Sequence, residues 1–141
     1  MKLFLASTGR HPLMIEAISK MVGGFKGKKV VFIPTASNGE IDYGLWKTQS
    51  ETLPVLQGLG VDLTVLQLED YKNDSDEVLR ILKASDIIWM GGGMPGYLLY
   101  WLRRCEIDQN IKDILNSDIL YVGSSAGSMV ASRYSDLAEW Y

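Results

Sequence analysis

The sequence predicts an α/β domain, a three-layer α/β/α sandwich around a mainly parallel sheet. Two observations predict it. Short apolar runs alternate with amphipathic stretches from one end of the chain to the other. Those runs, such as Lys29-Val30-Val31-Phe32-Ile33 and Asp86-Ile87-Ile88-Trp89-Met90, are continuously apolar rather than alternating. Strands of that kind are buried on both faces, which requires helices above and below a parallel sheet.

The elements follow in order. Residues 3–7 form a first strand. Residues 12–22 form an amphipathic helix, with Pro12 suited to its first turn and Gly23-Gly24 to its end. Residues 29–34 form the second strand. A helix is expected over 43–59, with Pro54 kinking or breaking it and Gly60 closing it. Residues 61–68 are the next strand. Residues 74–83 form a short helix, with Asp74 or Ser75 as N-cap. A fourth strand over 86–90 runs into Gly91-Gly92-Gly93, and a helix follows over 97–103. Residues 106–115 make another helix and 119–123 a fifth strand. The last helix starts near Ala126. No linker, repeat or low-complexity tract interrupts the pattern, so one domain over residues 1–141 is expected.

Composition narrows the function. Of 141 residues, 47% are hydrophobic, enough for one real core. The net charge of −3 offers no basic surplus for nucleic acid. No apolar run is long enough to span a membrane, and no signal peptide is evident after Lys2, so a cytoplasmic protein is expected. One cysteine, Cys105, excludes an intramolecular disulfide. It reads as an ordinary structural cysteine, with Arg103 and Arg104 as the only hint of an activated thiol. One histidine and one cysteine cannot make a zinc site, so no metal and no cofactor are expected.

Chemistry concentrates in two segments. In Gly123-Ser124-Ser125-Ala126-Gly127 the glycines flank Ser125 at minus two and plus two, the spacing of a nucleophile elbow. The chain turns sharply there from strand to helix, and small residues let the helix pack close to the strand. Ser124 fits less well, because Val122 and Ala126 would flank it. A turn of small residues without chemistry is the alternative reading. The second segment is Gly91-Gly92-Gly93, where backbone N–H groups can approach a ligand. With the N–H of Ala126, Gly92 and Gly93 are candidate donors of an oxyanion hole. A phosphate loop is disfavoured because no Gly-Lys-Ser/Thr ending follows. Ligands of parallel sheets bind at the carboxyl ends of the strands. The loops after the first and second strands, 7–11 and 35–38, should share that edge with both glycine loops.

These segments resemble the serine peptidases of the dipeptidase E and cyanophycinase family, peptidase family S51. There, a G-G-G-N-T-x-x-L-L stretch precedes a G-x-S-A-G elbow. Here the matching residues are 91–99 and 123–127, and Ile33-Pro34-Thr35-Ala36-Ser37 is similar to the family's I-P-T-A-S strand end. Met94-Pro95 stands where the family usually has Asn-Thr. The resemblance covers essentially the whole chain. It implies a class I glutamine amidotransferase-like, flavodoxin-like sandwich lacking the family's C-terminal part. It also implies a Ser-His-Asp/Glu triad whose acid and histidine follow the serine. Asp136 and Glu139 lie near the acid's place, and the spacing does not choose between them. The chain's one histidine, His11, is far upstream; it is the internal candidate for a base, and an exposed or capping residue is the plainer reading.

The function expected is a serine-type peptidase acting on small peptides, Asp-X among them, with this short chain weak or inactive alone. The alternative is a non-catalytic remnant or a small-ligand-binding α/β module. Arg10, Lys47 and Arg133 are candidates for a substrate carboxylate, each against the reading of a solvated surface charge. No nucleic acid or membrane partner is expected. A sheet edge or helix face left bare after the elbow favours a homo-oligomer. The aromatic stretch 97–102 and Trp140-Tyr141 are its candidate contact surfaces.

Overall fold

The structure is a computed structural model and describes residues 1–40 and 42–132. Five strands form one sheet: β1 (Lys2–Ala6), β2 (Lys29–Ile33), β3 (Asp62–Val65), β4 (Ile87–Met90) and β5 (Leu120–Ser124). Their order is β1-β5-β4-β2-β3, and every pairing is parallel. β4 and β5 therefore sit near the centre, in register from Ile87 against Leu120 to Met90 against Gly123. The two glycine loops that follow them leave the sheet side by side.

Strand residues alternate between two apolar layers. Val30, Phe32, Ile87, Trp89, Leu120 and Val122 face a cluster closed by Ile18 of α1 (Pro12–Val22), Phe25 and Leu56. Val31, Ile33, Ile88, Met90 and Tyr121 face the opposite cluster. There α5 (Ser75–Lys83), α6 (Pro95–Arg104) and α7 (Ile107–Asn116) supply Val78, Leu82, Leu98, Leu102, Ile107 and Ile114. Both faces of the central strands are thus buried, which is why their sequences read as continuous apolar runs. The result is the expected three-layer sandwich.

Local signals explain the helix ends. Pro12 opens α1, and Gly23 closes it in the left-handed region at φ 71°. The Asp74 side chain accepts the N–H of Glu77 and caps α5. Pro95 starts α6, two residues earlier than the sequence suggested.

Three expectations are corrected. The single helix over 43–59 is two short ones, α3 (Trp46–Gln49) and α4 (Thr52–Gln57), with Ser50 extended between them. In a continuous helix the Pro54 ring would meet the carbonyl of Ser50, four residues back, so the break falls there. The strand over 61–68 ends at Val65, and a 3-10 turn covers Leu68–Tyr71. The N–H of Leu68 leaves the ladder for the Thr35 hydroxyl, 3.0 Å away. The loop at 35–38 is one helical turn, α2 (Thr35–Asn38). The last helix, α8, spans Ala126–Met129.

Among the described residues no helix is long and apolar enough to cross a membrane. No group of three potential metal ligands forms among them either.

Candidate active site

The turn between β5 and α8 gives Ser125 an unusual backbone, φ 51° and ψ −113°. Of the described non-glycine residues only Glu106 shares a positive φ. Such a conformation costs roughly 1–3 kcal/mol and persists only where neighbours enforce it. Here they do. The Ser125 N–H donates to the Ala6 carbonyl (2.9 Å), which ties the turn to β1. The Gly127 N–H donates to the Gly91 carbonyl (3.2 Å), which ties it to the loop after β4. The Tyr121 hydroxyl donates to the Gly127 carbonyl at 2.6 Å from beneath. Burial pushes the Tyr121 phenol well above its ordinary range, so it stays a neutral donor.

The glycine positions follow from close approach. A Cβ on Gly123 would lie 2.5 Å from the Gly127 carbonyl oxygen, and one on Gly127 would collide with the Met90 carbonyl. The spacing around Ser125 is thus set by strand–helix contact. Gly93, at φ 138°, passes directly over the backbone of Ala36. Gly92 adjoins the serine: a Cβ there would stand 3.3 Å from Ser125 Cβ and 3.7 Å from its Oγ. Among the described residues, the N–H groups of Gly92, Gly93 and Ala126 have no protein acceptor.

Ser125 opens on a cavity of about 620 Å³, within the usual range for small-molecule sites. The loops expected to share the carboxyl edge all reach it. Ser7 and Arg10 come from the loop after β1, Pro34 and Ser37 from after β2, Gly91 and Gly92 from after β4, and Ser124 and Ser125 from β5. The far wall carries Glu40, Asp42, Leu45, Trp46, Gln49, Ser50, Glu51 and Thr52. The sequence reading passed over this wall. The available signal was the cluster Tyr43, Leu45 and Trp46 around Gly44.

The other candidates separate. Ser124 is buried, and its Oγ accepts the Gly9 N–H at 3.1 Å, anchoring the loop that bears Arg10. Arg10 pairs with Glu51 and donates to Thr8 Oγ1. His11 caps α1: its Nδ1 accepts the Leu13 N–H at 3.2 Å, and it does not line the cavity. Lys47 lies over the Trp46 ring, 5.8 Å from its centroid. Cys105 is buried with its sulfur 3.6 Å from the Leu68 carbonyl, and burial pushes its thiol up, as suits an unreactive structural cysteine. Arg133, Asp136 and Glu139 lie outside the described residues.

Comparison with known proteins gives the chain's family and its structural neighbours. The model of peptidase family S51 matches residues 3–139. The uncharacterized peptidase Lin0382 of Listeria innocua is 29% identical over 92% of this chain and 59% of its own length. Peptidase E of Actinobacillus pleuropneumoniae is 28% identical over 81% of this chain and 45% of its own. A crystal structure of a protein from Listeria monocytogenes EGD-e, assigned to peptidase E, superposes with a TM-score of 0.80 at 28% identity. It covers 99% of this chain and 66% of that one. A peptidase from an acI-B1 actinobacterium gives 0.72 at 27% identity, over 92% and 56%. The chain spans about three fifths of the length of the Listeria innocua relative.

Proposed function

The chain belongs to peptidase family S51, and on that premise we propose that the cavity is a peptidase site with Ser125 as nucleophile. The observation that carries the proposal is the strained Ser125 turn, held open to a cavity with Gly92 against its side chain. Ser125 Oγ would attack the carbonyl carbon of a peptide bond and lose its proton to a base. The carbonyl oxygen would gain charge beside the N–H groups of Ala126 and of Gly92 or Gly93. The base would return the proton to the leaving amine, and water would then release the acyl group. Small peptides, Asp-X dipeptides among them, are the substrate class. The peptidase-named relatives support a peptide substrate, and the cavity's size suits a small one. A cytoplasmic setting accords with a free, buried Cys105.

The acid of the triad is Asp136 or Glu139 in this reading. The chain's one histidine, His11, is engaged at the start of α1. The 141-residue chain alone is therefore a slow peptidase, and a binding-only module is the second reading, favoured by that same placement. A fluorophosphonate probe decides the nucleophile: Ser125 should be modified, and Ser125→Ala should lose both modification and about a thousandfold or more of any dipeptide turnover. Modification at Ser124, with turnover intact in Ser125→Ala, overturns the assignment. Efficient Asp-X cleavage by this chain refutes the slow-peptidase reading, and His11→Ala then shows whether His11 had been recruited.

A further inference from the structure

The far wall of the cavity is attached to the domain in an unusual way. α3 has no fully buried residue among its four, Trp46 being half-buried. Among the described residues, two hydrogen bonds tie the segment down, and they converge on two buried amides. The Gly44 N–H donates to Asn38 Oδ1 at 2.8 Å. The Trp46 indole N–H donates to Gln67 Oε1 at 3.0 Å. The amides also join each other, Asn38 Nδ2 donating to Gln67 Oε1 at 3.0 Å and to Glu69 Oε2 at 3.1 Å. Gln67 Nε2 is held in turn by the Asp70 carboxylate, 3.2 Å from each oxygen. The amide groups of both residues are thus committed, and each is held in one orientation.

We infer that Asn38 and Gln67 are positioning residues of the substrate pocket, setting the wall of residues 42–50 at its working distance from Ser125. The inference rests on the peptidase reading of the cavity for its ligand. Neither side chain lines the cavity. They act through Trp46, Leu45 and Gln49, which do. Gly44 adopts φ 79°, so the turn that presents its N–H to Asn38 needs a glycine. Asn38 sits on α2, whose Ala36 lies under Gly93 and accepts the Met94 N–H at 2.9 Å. One short turn therefore carries both the wall's anchor and the floor of the glycine loop. Substrate would be gripped between two surfaces that share this support.

Hydrogen exchange read by mass spectrometry, with calorimetric titration of an Asp-Leu dipeptide, tests this on the 141-residue chain. In Gln67→Met and Asn38→Ala, residues 42–50 should exchange about tenfold faster while β4 and β5 keep parental protection. Dipeptide affinity should fall about tenfold. Trp46→Phe removes the indole donor and part of the ring while leaving both buried amides in place, and should loosen the same segment, which covers the case of a core variant that does not fold. Parental exchange over 42–50 in these variants overturns the inference. So does faster exchange with unchanged dipeptide affinity. If the parent binds no dipeptide and its Ser125 is not modified by fluorophosphonate, the peptidase reading fails. The exchange result still decides whether Asn38 and Gln67 hold the wall.

Discussion

Ser125 occupies a backbone conformation that glycine adopts without strain and serine does not. Ser125→Gly should therefore stabilise the fold by about 1 kcal/mol while removing the proposed nucleophile. Thermal melting checks the gain, and a melting temperature equal to or below the parent's contradicts it. The opposite experiment is Tyr121→Phe. It leaves the Gly127 carbonyl without its buried donor, at a cost of about 1–3 kcal/mol. Denaturant unfolding should show that loss, and exchange of residues 125–130 should quicken. Ser125 was legible in the sequence because the glycine spacing records the contacts that force the turn. The capping role of His11 was legible too, as the plainer reading of a histidine before Pro12. The role of Ser124 was not, because it depends on a partner the spacing does not name. For Ser124 that partner is the Gly9 N–H, 115 residues away in sequence.

At the scale of elements, the 3-10 turn Leu68–Tyr71 places Glu69 against α2, with Oε1 buried and without a partner among the described residues. Burial raises the Glu69 carboxyl above its ordinary range; Asp70 adds to this, and the Asn38 hydrogen bond opposes it. The folded chain then keeps a proton that the unfolded chain has released. Stability is fully present below the ordinary glutamate range and is lost as pH rises through the raised value. Glu69→Gln should raise the melting temperature at neutral pH and change it little at pH values below the ordinary glutamate range. Equal shifts at both ends would contradict this account. The split of the expected 43–59 helix belongs here too. Pro54 signalled a break, but its place follows from the clash with the Ser50 carbonyl. The polar anchoring of α3 has no periodic trace, since amide hydrogen bonds leave none.

At the scale of the whole molecule, the described residues leave the sheet face opposite α1 incompletely covered at its β1 edge. Phe4 packs into the α1 layer, whereas Leu3 and Leu5 point the other way and remain 41% and 46% exposed. Beside them Met1, Leu99, Ile111, Leu115 and Val130 line an apolar groove of about 410 Å³. Burying such surface is worth roughly 25 cal/mol per Å², and among the described residues β1 is an edge strand. The 141-residue chain should self-associate through this side, and Leu3→Lys with Leu5→Lys should shift it toward monomer. Sedimentation equilibrium checks both, and a parent that stays monomeric across a wide concentration range overturns the expectation. Of the candidate contact surfaces, Trp140-Tyr141 lies outside the described residues, and 97–102 meets the groove only in part. Leu99 and Leu102 line the groove, while Tyr100 is exposed and stacks edge-on against Trp101.

The sequence by itself determined the layers, the parallel sheet, the tight turn at Ser125 and the edge on which the loops meet. Each is written in local terms: a buried strand is a continuous apolar run, and a tight strand–helix turn demands glycine at fixed offsets. The tertiary structure alone decided the strand order, which makes β4 and β5 neighbours and sets Gly92 against Ser125. It alone revealed the wall of residues 42–50 and the amides that hold it. Such contacts join residues such as Asn38 and Gln67, 29 positions apart, and a hydrogen bond between distant polar side chains imposes no period and little composition on the chain that makes it.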